Sequence, residues 1–181
     1  HVGDIMYDAT LFAKNIINKK KSEYEKRFGF GQCKFALMTI HRQESTDNKK
    51  MFSAIMEFSE NFAEINDLKI IFPVHPRIKN LIEVYKDSTR FSFVDPLSYL
   101  DTQYAIGKAS TILTDSGGLQ KDAYFHRITC VTLRSETEWV ETVENGWNRL
   151  WTVDEYNPQK SIEDYGDGDG AKKILQVLLK V

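Results

Sequence analysis

Short runs of apolar residues recur along the chain at even intervals. Five of these runs contain four to six residues and are rich in β-branched or aromatic side chains. They cover residues 35–40, 69–74, 91–94, 111–114 and 128–133. Nearly continuous apolarity, rather than strict alternation with polar residues, is typical of strands that are covered on both faces. We therefore predict that each run is a buried strand of a parallel sheet.

Segments with helical patterns lie between these runs. Apolar residues recur at spacings of three and four residues over 51–62 and share one side of a helix over 77–86. Leu100, Tyr104 and Ile106 suggest a short helix, and a further helix is expected over 118–125. Because strands and helices alternate, the pattern predicts an α/β fold with helices on both faces of the sheet. Right-handed crossovers then produce a doubly wound parallel sheet, which is a Rossmann-like domain.

The two ends of the chain have a different pattern. Residues 4–27 predict one long helix, which the glycines within 29–31 are expected to end before the first strand. Residues 164–170 form an acidic, glycine-rich turn segment that lacks the ligand spacing and the final glutamate of an EF-hand calcium loop. We therefore expect no metal site there. A last helix is predicted over 171–179.

The composition limits the classes of protein that the chain can represent. Its 181 residues are 41% hydrophobic and 28% charged, which is typical of a globular domain. The formal net charge of −2 provides no excess of positive charge for binding nucleic acid. No apolar run approaches the roughly 20 residues that span a bilayer. We therefore expect neither a nucleic-acid partner nor a membrane partner.

The chain start and the cysteines indicate a reducing compartment. Residues 1–4 lack a basic head followed by an apolar stretch, so we expect no signal peptide and a cytoplasmic location. Cys33 and Cys130 are too few for a disulfide framework or a four-thiolate zinc site. Each cysteine lies at the edge of an apolar run, and we predict that both are buried free thiols.

Candidate chemistry lies where the predicted strands end, because ligands of open parallel sheets bind beyond the carboxyl ends of the strands. His41, Arg42 and Glu44 follow the first strand directly. An imidazole, a guanidinium and a carboxylate so close together can bind an anion and move a proton. The alternative is a solvated loop without a role.

A second polar group follows the second strand. His75 and Arg77 flank Pro76, which stands where a helix could begin because its missing N–H is harmless in a first turn. Both basic side chains would face the same edge of the sheet as His41. The alternative is a capping and turn element.

The exit of the fourth strand is typical of an anion-binding turn. Ser116, Gly117 and Gly118 lie between this strand and the start of the next helix. The glycines let a ligand approach the backbone closely, and the free N–H groups of a helix N-terminus attract negative charge. The turn matches neither the dinucleotide-binding G-x-G-x-x-G fingerprint nor the Walker loop. We predict that it binds phosphate.

A fourth polar segment follows the fifth strand. Arg134 could pair with a phosphate. Ser135 is followed three residues later by Glu138, a spacing that fits a capping box and predicts a helix start at Ser135.

Together, these motifs resemble a known family. Residues 40–44 (IHRQE), 74–76 (VHP), 95–100 (DPLSYL), 113–120 (LTDSGGLQ) and 134–138 (RSETE) occur in this order along the chain. They resemble the carboxyl-terminal half of the non-hydrolysing UDP-N-acetylglucosamine 2-epimerases, over essentially the whole chain.

The resemblance implies a glycosyltransferase-B-type architecture, in which the nucleotide sugar lies between two Rossmann-like domains. The present chain, residues 1–181, corresponds to the second domain only. Residues 1–28 match the interdomain crossing, and the helix at 171–181 is expected to pack against the absent first domain. Residues 138–148 are similar to a branch that serves capsule and O-antigen sugar synthesis and includes epimerases for diacetamido sugars. The complete protein is expected to be a homodimer.

The resemblance also implies roles for individual residues. Ser116, Gly117 and Gly118 would bind the diphosphate of UDP, and Asp122 would accept hydrogen bonds from the ribose hydroxyls. His41 matches a catalytic histidine near the phosphates and the sugar.

Other positions match segments that line the substrate site of the family. Leu97 and Thr102 lie in the segment that meets uracil mainly through backbone groups. Trp139 stands where other members carry a phosphate-site arginine, so that role does not transfer. The remaining positions expected to bind substrate are Arg42, Glu44, His75 and Arg134.

The implied reaction inverts C2 of the sugar by eliminating UDP across C1–C2 and adding it back after the proton returns on the opposite face. This route needs no redox cofactor. The carboxylates that move the proton would come from the absent domain, so we expect the isolated chain to bind UDP weakly without catalysing epimerisation. The alternatives are a glycosyltransferase of the same architecture and a nucleotide-sugar-binding module without catalysis.

Overall fold

A computed structural model describes residues 1–29 and 33–179. Its centre is a six-stranded sheet in which every pair of neighbouring strands is parallel. The spatial order of the strands is β3-β2-β1-β4-β5-β6. In chain order, the strands are β1 (Phe35–Thr39), β2 (Lys69–Pro73), β3 (Phe91–Val94), β4 (Thr111–Thr114), β5 (Thr129–Thr132) and β6 (Asn148–Leu150). The expected α/β, doubly wound, Rossmann-like fold is thereby confirmed.

Helices connect the strands and cover both faces of the sheet. They are α1 (Ile5–Lys19), α2 (Lys21–Phe28), α3 (Gln43–Thr46), α4 (Lys49–Ile65), α5 (Tyr99–Ile106), α6 (Gly117–Phe125), α7 (Val140–Glu144) and α8 (Gly170–Leu178). Four of the predicted helices are confirmed as α4, α5, α6 and α8, and the five predicted strands are confirmed with shifts of one residue at some ends.

The sequence pattern did not reveal β6. This strand contains Asn148 and Arg149, whose side chains are almost fully buried although they are polar. Asn148 Oδ1 accepts a hydrogen bond of 2.9 Å from Thr132 Oγ1 on β5. Hydrogen bonds, rather than apolar contacts, hold these buried side chains of the edge strand in place. A search for runs of apolar residues therefore cannot detect such a strand.

The predicted long helix over 4–27 is wrong, because the chain turns at Lys20 (φ −116°, ψ 23°) between α1 and α2. The turn directs α2 toward α5, where the ring centroids of Tyr24 and Tyr104 lie 5.0 Å apart. Gly29 ends α2 with a positive φ of 58°, while the other two residues of the predicted break, 30 and 31, lie outside the described residues.

The predicted helix over 77–86 is also wrong. Two short 3₁₀ turns, Pro76–Ile78 and Glu83–Tyr85, occupy this connection. The apolar spacing of three residues in this segment fits both helix types, because side chains three residues apart in a 3₁₀ turn lie on the same side. Ile78 and Ile82 are buried under the sheet in this arrangement, so the core positions are kept without a continuous α-helix.

Two apolar layers sandwich the sheet. Adjacent residues of β1 point to opposite faces, with Leu37 in the layer under α5 and α6 and Met38 in the layer under α4, and both are fully buried. This arrangement explains why the strands are apolar at successive positions. The two layers hold the central strands rigidly, so that the loops at their carboxyl ends start from fixed positions.

The cysteine prediction is half correct. Cys130 lies fully buried on β5, and burial raises the pKa of its thiol. Cys33 is exposed, which contradicts the prediction. It precedes β1 and therefore lies outside the part of the chain that the sheet covers.

The two ends of the described chain meet. The Asp4 amide donates to the carbonyl of Tyr165 at 3.0 Å. The Asp8 carboxylate accepts from the amides of Gly170 and Ala171 at 3.1 and 2.7 Å, and so caps the N-terminus of α8. Along α8, however, large apolar side chains remain exposed: Ile174, Leu175, Val177, Leu178 and Leu179. None of the helices in the described ranges is both long and apolar enough to cross a bilayer.

The helix α4 offers a matched test of the core. Ile55 is fully buried, whereas Ile65 at the end of the same helix is 84% exposed. We expect Ile55→Ala to lower the free energy of unfolding by about 2–5 kcal/mol, because it leaves a cavity in a packed layer. Ile65→Ala is expected to change it by no more than about 0.5 kcal/mol. Urea unfolding followed by circular dichroism measures both, and equal losses would contradict this core.

Candidate functional site

The connections after β1 and β4 diverge at the middle of the sheet. The chain passes from β1 to one side and from β4 to the other, since the order β3-β2-β1-β4-β5-β6 reverses direction between these neighbours. Thr39 and Thr114 end the two strands in register, and their hydroxyl oxygens lie 2.6 Å apart. A crevice at the carboxyl ends of such strands is the usual ligand site of doubly wound sheets.

A cleft of about 190 Å³ lies at this crevice. It brings together side chains that are far apart in sequence and that follow four different strands. Its lining includes His41, His75, Leu97, Thr102 and Ser116, all of which the sequence singled out. The other lining residues are Leu37, Thr39, Ile40, Pro73, Pro96 and Leu119.

The N-terminus of α6 opens onto the cleft at Ser116. Ser116 is the N-cap residue, and its hydroxyl caps no amide within the described structure. Its own amide donates to Thr114 Oγ1 at 3.0 Å. The first amides of an α-helix have no partner inside the helix, and the helix dipole makes this end positive. The nine-residue helix α6 therefore presents free donors where an anion can bind.

The two glycines of the turn have different surroundings. A Cβ atom on Gly117 would lie 3.0 Å from Trp139 Nε1 and 3.2 Å from Glu138 Oε1, so tight packing explains this glycine. A Cβ on Gly118 would lie no closer than 3.8 Å to its nearest neighbour, Met6 Cε. Packing leaves room for a side chain at Gly118, and close approach of a ligand is a reason for a glycine there.

Asp115, directly before this turn, is fully buried and binds the loop that follows β1. Its carboxylate accepts from the His41 amide at 3.1 Å and from the Arg42 amide at 2.9 Å. The Nδ1 atom of the His41 ring lies 3.3 Å from Asp115 Oδ1. The role of Asp115 was not predicted from the sequence, although a carboxylate at the end of an apolar strand is a signal for a buried, hydrogen-bonded group.

The side chain of His75 both lines the cleft and caps a turn. Its ring centroid lies 6.0 Å from that of His41, and its side chain lines the cleft. Its Nδ1 atom also accepts from the Arg77 amide at 3.2 Å, and so it caps the 3₁₀ turn that Pro76 begins. The turn element, which was the alternative interpretation, is therefore present, and the imidazole still reaches the cleft. Arg77 is not among the residues that line it.

Four charged side chains form a cluster beside the cleft. Arg42 and Arg134 donate to the two oxygens of Glu138 at 3.0 and 2.7 Å. Arg134 also lies 3.1 Å from Glu44. The pKa of Glu138 is lowered, first by a hydrogen bond from its own amide and then by the two guanidinium groups. The two positive and two negative groups balance, so the cluster offers little net charge.

The predicted helix start at Ser135 is wrong. The chain forms turns there, and α7 begins at Val140 with Trp139 as its N-cap residue. Glu138 binds the arginines instead of closing a capping box. The indole Nε1 of Trp139 is buried beside Gly117, without a hydrogen-bond partner in the described part of the chain.

Buried amide and hydroxyl groups hold the Trp139 segment against α6. Gln120 Oε1 accepts from Thr137 Oγ1 at 2.5 Å and from Asn148 Nδ2 at 3.0 Å. The Thr137 hydroxyl in turn accepts from the Trp139 amide at 3.1 Å. These groups link α6 to β6, and their role was not visible in the sequence.

Asp122 lies away from the cleft. It is 6% exposed, and its carboxylate accepts from Thr10 Oγ1 on α1 at 3.1 Å. Burial raises the pKa of this carboxyl group. The neighbouring Lys121 is equally buried, pairs with Asp4 and lies 4.1 Å from the ring centre of Trp139. In this conformation, Asp122 joins α6 to the first helix.

A larger cavity of about 670 Å³ lies at the opposite edge of the sheet. Its lining includes Lys34, Thr111 and Thr129, which stand at the amino ends of β1, β4 and β5. Ligand sites of doubly wound sheets lie at the carboxyl ends of the strands, so the smaller cleft is the better candidate. No group of three or more His, Cys, Asp or Glu side chains within residues 1–29 and 33–179 is placed to hold a metal ion.

Comparison with known proteins identifies the family of the chain. The family model for UDP-N-acetylglucosamine 2-epimerase matches residues 1–179. A UDP-N-acetylglucosamine 2-epimerase homolog from Methanococcus maripaludis is 40% identical over 98% of this chain and 54% of its own length. A UDP-2,3-diacetamido-2,3-dideoxy-D-glucuronate 2-epimerase from Pseudomonas aeruginosa is 34% identical over 100% of this chain and 52% of its own length.

A solved structure shares the fold. The UDP-GlcNAc 2-epimerase of Methanocaldococcus jannaschii, in complex with UDP-GlcNAc and UDP, aligns with a TM-score of 0.86 and 32% identity. The alignment covers 99% of this chain and 54% of that one. The chain therefore spans about half the length of the relatives that it matches. The resemblance seen in the sequence is confirmed, and the chain belongs to the UDP-N-acetylglucosamine 2-epimerase family.

Proposed function

We propose that this chain is the UDP-binding half of an epimerase that inverts C2 of UDP-N-acetylglucosamine or of a related UDP-2-acetamido sugar. One observation carries the proposal: the N-terminus of α6, where a side chain would fit at Gly118, opens at Ser116 onto the same cleft that His41 lines. The Methanocaldococcus jannaschii enzyme, whose structure holds UDP-GlcNAc and UDP, shares this fold.

The α6 amides and the Ser116 hydroxyl would stabilise the diphosphate as it leaves C1. Donors that are already oriented toward developing negative charge lower the barrier to such a departure. The C2–H bond is not acidic, since no carbonyl adjoins it, so loss of the leaving group and loss of the proton must be coupled. His41 lines the same cleft, and we propose that it exchanges a proton with the ligand.

The outer parts of the nucleotide would occupy the rest of the cleft. Leu97 and Thr102 line it and are proposed to meet uracil. Contact of Asp122 with the ribose would require its buried carboxylate, which does not line the cleft in this structure, to become accessible from it. Arg42 and Arg134 would bind the diphosphate by exchanging Glu138 for phosphate oxygens, in which case Glu44 balances the remaining charge.

The proton-moving carboxylates are proposed to lie on a second, amino-terminal domain. The half-length match to relatives supports this, as do the exposed apolar residues of α8, which would pack on that domain. We further propose that the complete protein is a cytoplasmic homodimer that supplies precursors for capsule or O-antigen polysaccharide.

The isolated chain is expected to bind UDP and to lack epimerase activity. The α6 donors and the cleft are both present in it, whereas the proposed proton-moving carboxylates are not. Titration calorimetry at millimolar UDP measures binding, and proton NMR of UDP-N-acetylglucosamine measures turnover. Absence of any heat would count against the UDP site, and efficient turnover would refute the requirement for another domain.

Gly118→Ala is expected to separate stability from binding. Because a Cβ fits at Gly118 within the free protein, alanine should stabilise α6 by about 0.5–1 kcal/mol. The same methyl group would clash with a diphosphate on the turn and weaken UDP binding about 5- to 100-fold. Uridine, which has no phosphate, is the control ligand and should bind the variant normally. Unchanged UDP affinity would place the diphosphate elsewhere.

Exchange at C2 distinguishes epimerisation from glycosyl transfer. The complete protein in heavy water should incorporate deuterium at C2 of UDP-N-acetylglucosamine without an acceptor. His41→Gln is expected to slow this exchange by about 10²–10⁴-fold, since it removes a proton-exchanging group. Transfer to an acceptor without exchange at C2 would support the glycosyltransferase alternative.

A further inference from the structure

We propose that Asp115 is the positioning residue of His41: it selects the ring tautomer that carries its proton on Nδ1 and directs a free Nε2 toward the ligand. The catalytic role that this proposal gives to Asp115 rests on the proposed function, whereas the tautomer that it assigns to His41 does not depend on that function. It follows from the contacts of one buried carboxylate between β4 and the turn at Ser116.

The carboxylate of Asp115 is surrounded by donors from a single loop. Asp115 is fully buried, and its amide is held by the Thr39 carbonyl at 3.3 Å. One oxygen accepts from the Arg42 amide at 2.9 Å, and both accept from the His41 amide at 3.1 and 3.2 Å. These hydrogen bonds compensate for the loss of water around the charge.

The His41 ring completes this environment. Its Nδ1 atom lies 3.3 Å from Asp115 Oδ1. An ionised carboxylate can only accept hydrogen bonds, so a bare Nδ1 at this distance would place a negatively polarised nitrogen beside a negative oxygen. A proton on Nδ1 removes that repulsion. The neutral ring then has no proton on Nε2, which lies on the side of the imidazole away from Asp115.

Two other histidines provide an internal contrast. His75 Nδ1 accepts a hydrogen bond from the Arg77 amide, so the neutral ring carries its proton on Nε2. His126 Nε2 lies 2.8 Å from Gln103 Oε1, an acceptor, which also requires the proton on Nε2. Burial lowers the pKa of His126 to about 3, and this ring is therefore neutral throughout the physiological range. His41 should differ from both.

The position of Asp115 in the chain links His41 to the proposed diphosphate site. Asp115 immediately precedes Ser116, the N-cap of α6, and its carboxylate holds the loop that carries His41. One residue thus fixes the imidazole relative to the proposed diphosphate donors. A free Nε2 can accept a proton from the ligand or, once protonated, return it, which is the function proposed for His41.

Nitrogen-15 NMR of the imidazole rings tests the proposal in this chain. At a pH where the rings are neutral, long-range ¹⁵N–¹H correlations distinguish a protonated Nδ1 from a protonated Nε2. His41→Gln and His75→Gln identify the signals. We expect the Nδ1–H form for His41 and the Nε2–H form for His75 and His126. An Nε2–H form for His41 in the unmodified chain overturns the proposal.

Asp115→Asn is the matched variant, because it keeps the shape and removes the charge. We expect His41 to lose its preference for Nδ1–H while the His75 signals stay unchanged. In the complete enzyme, kcat should fall about 10²-fold with KM nearly constant, as for a misplaced catalytic group. An unchanged His41 tautomer in a folded variant overturns the proposal. If near-ultraviolet circular dichroism shows that the variant does not fold, the tautomer of the unmodified chain decides.

The two proposals can fail separately. A complete protein that shows the Nδ1–H form at His41 but neither binds UDP nor exchanges C2 protons would refute the proposed function and leave the role of Asp115 in positioning intact. Active epimerase with the Nε2–H form at His41 would refute the role of Asp115 alone.

Discussion

The pairing of β1 with β4 in the middle of the sheet governs the rest of the structure. These strands end in register at Thr39 and Thr114, whose hydroxyl groups form a hydrogen bond. The chain leaves them in opposite directions, and the space between the two exits is the cleft. Both strands are packed between two apolar layers, and the residues that follow them extend from this packed core. Asp115 then connects one exit to the other through His41.

The charged side chains around the cleft are paired with one another, whereas the backbone donors at the start of α6 have no partner inside the helix. The arginines beside the cleft bind glutamates, whereas the amides at the start of α6 have no partner inside the helix. A backbone cradle of this kind needs no reorganisation to receive an anion, since its dipoles are fixed by the helix. The balanced Arg42–Glu138 and Arg134–Glu44 contacts can instead respond to the charge of a ligand.

Hydrogen bonds join the two ends of the described chain. The segment at Asp4 is hydrogen-bonded to Tyr165, and Asp8 caps α8, so both ends are held at one place. Beyond this junction, α8 presents apolar side chains to solvent, although burying them would be favourable. Lys121 and Asp122 lie between α6 and α1. These contacts join the start of the chain to α6, whose N-terminus is the proposed phosphate site.

The sequence by itself determined five of the six strands, because doubly covered strands must be apolar at successive positions, and it located His41, His75 and Ser116 at strand exits. It could not determine β6 or the burial of Asp122, since Asn148, Thr132 and Thr10 are polar and act through hydrogen bonds with distant residues. The roles of Asp115 and Trp139 became visible only in the tertiary structure, where Asp115 contacts His41 and Trp139 lies beside Gly117. A local apolar pattern indicates which surface of an element is buried. The hydrogen-bond partners of a polar residue are distant in sequence, and only the tertiary structure brings them together.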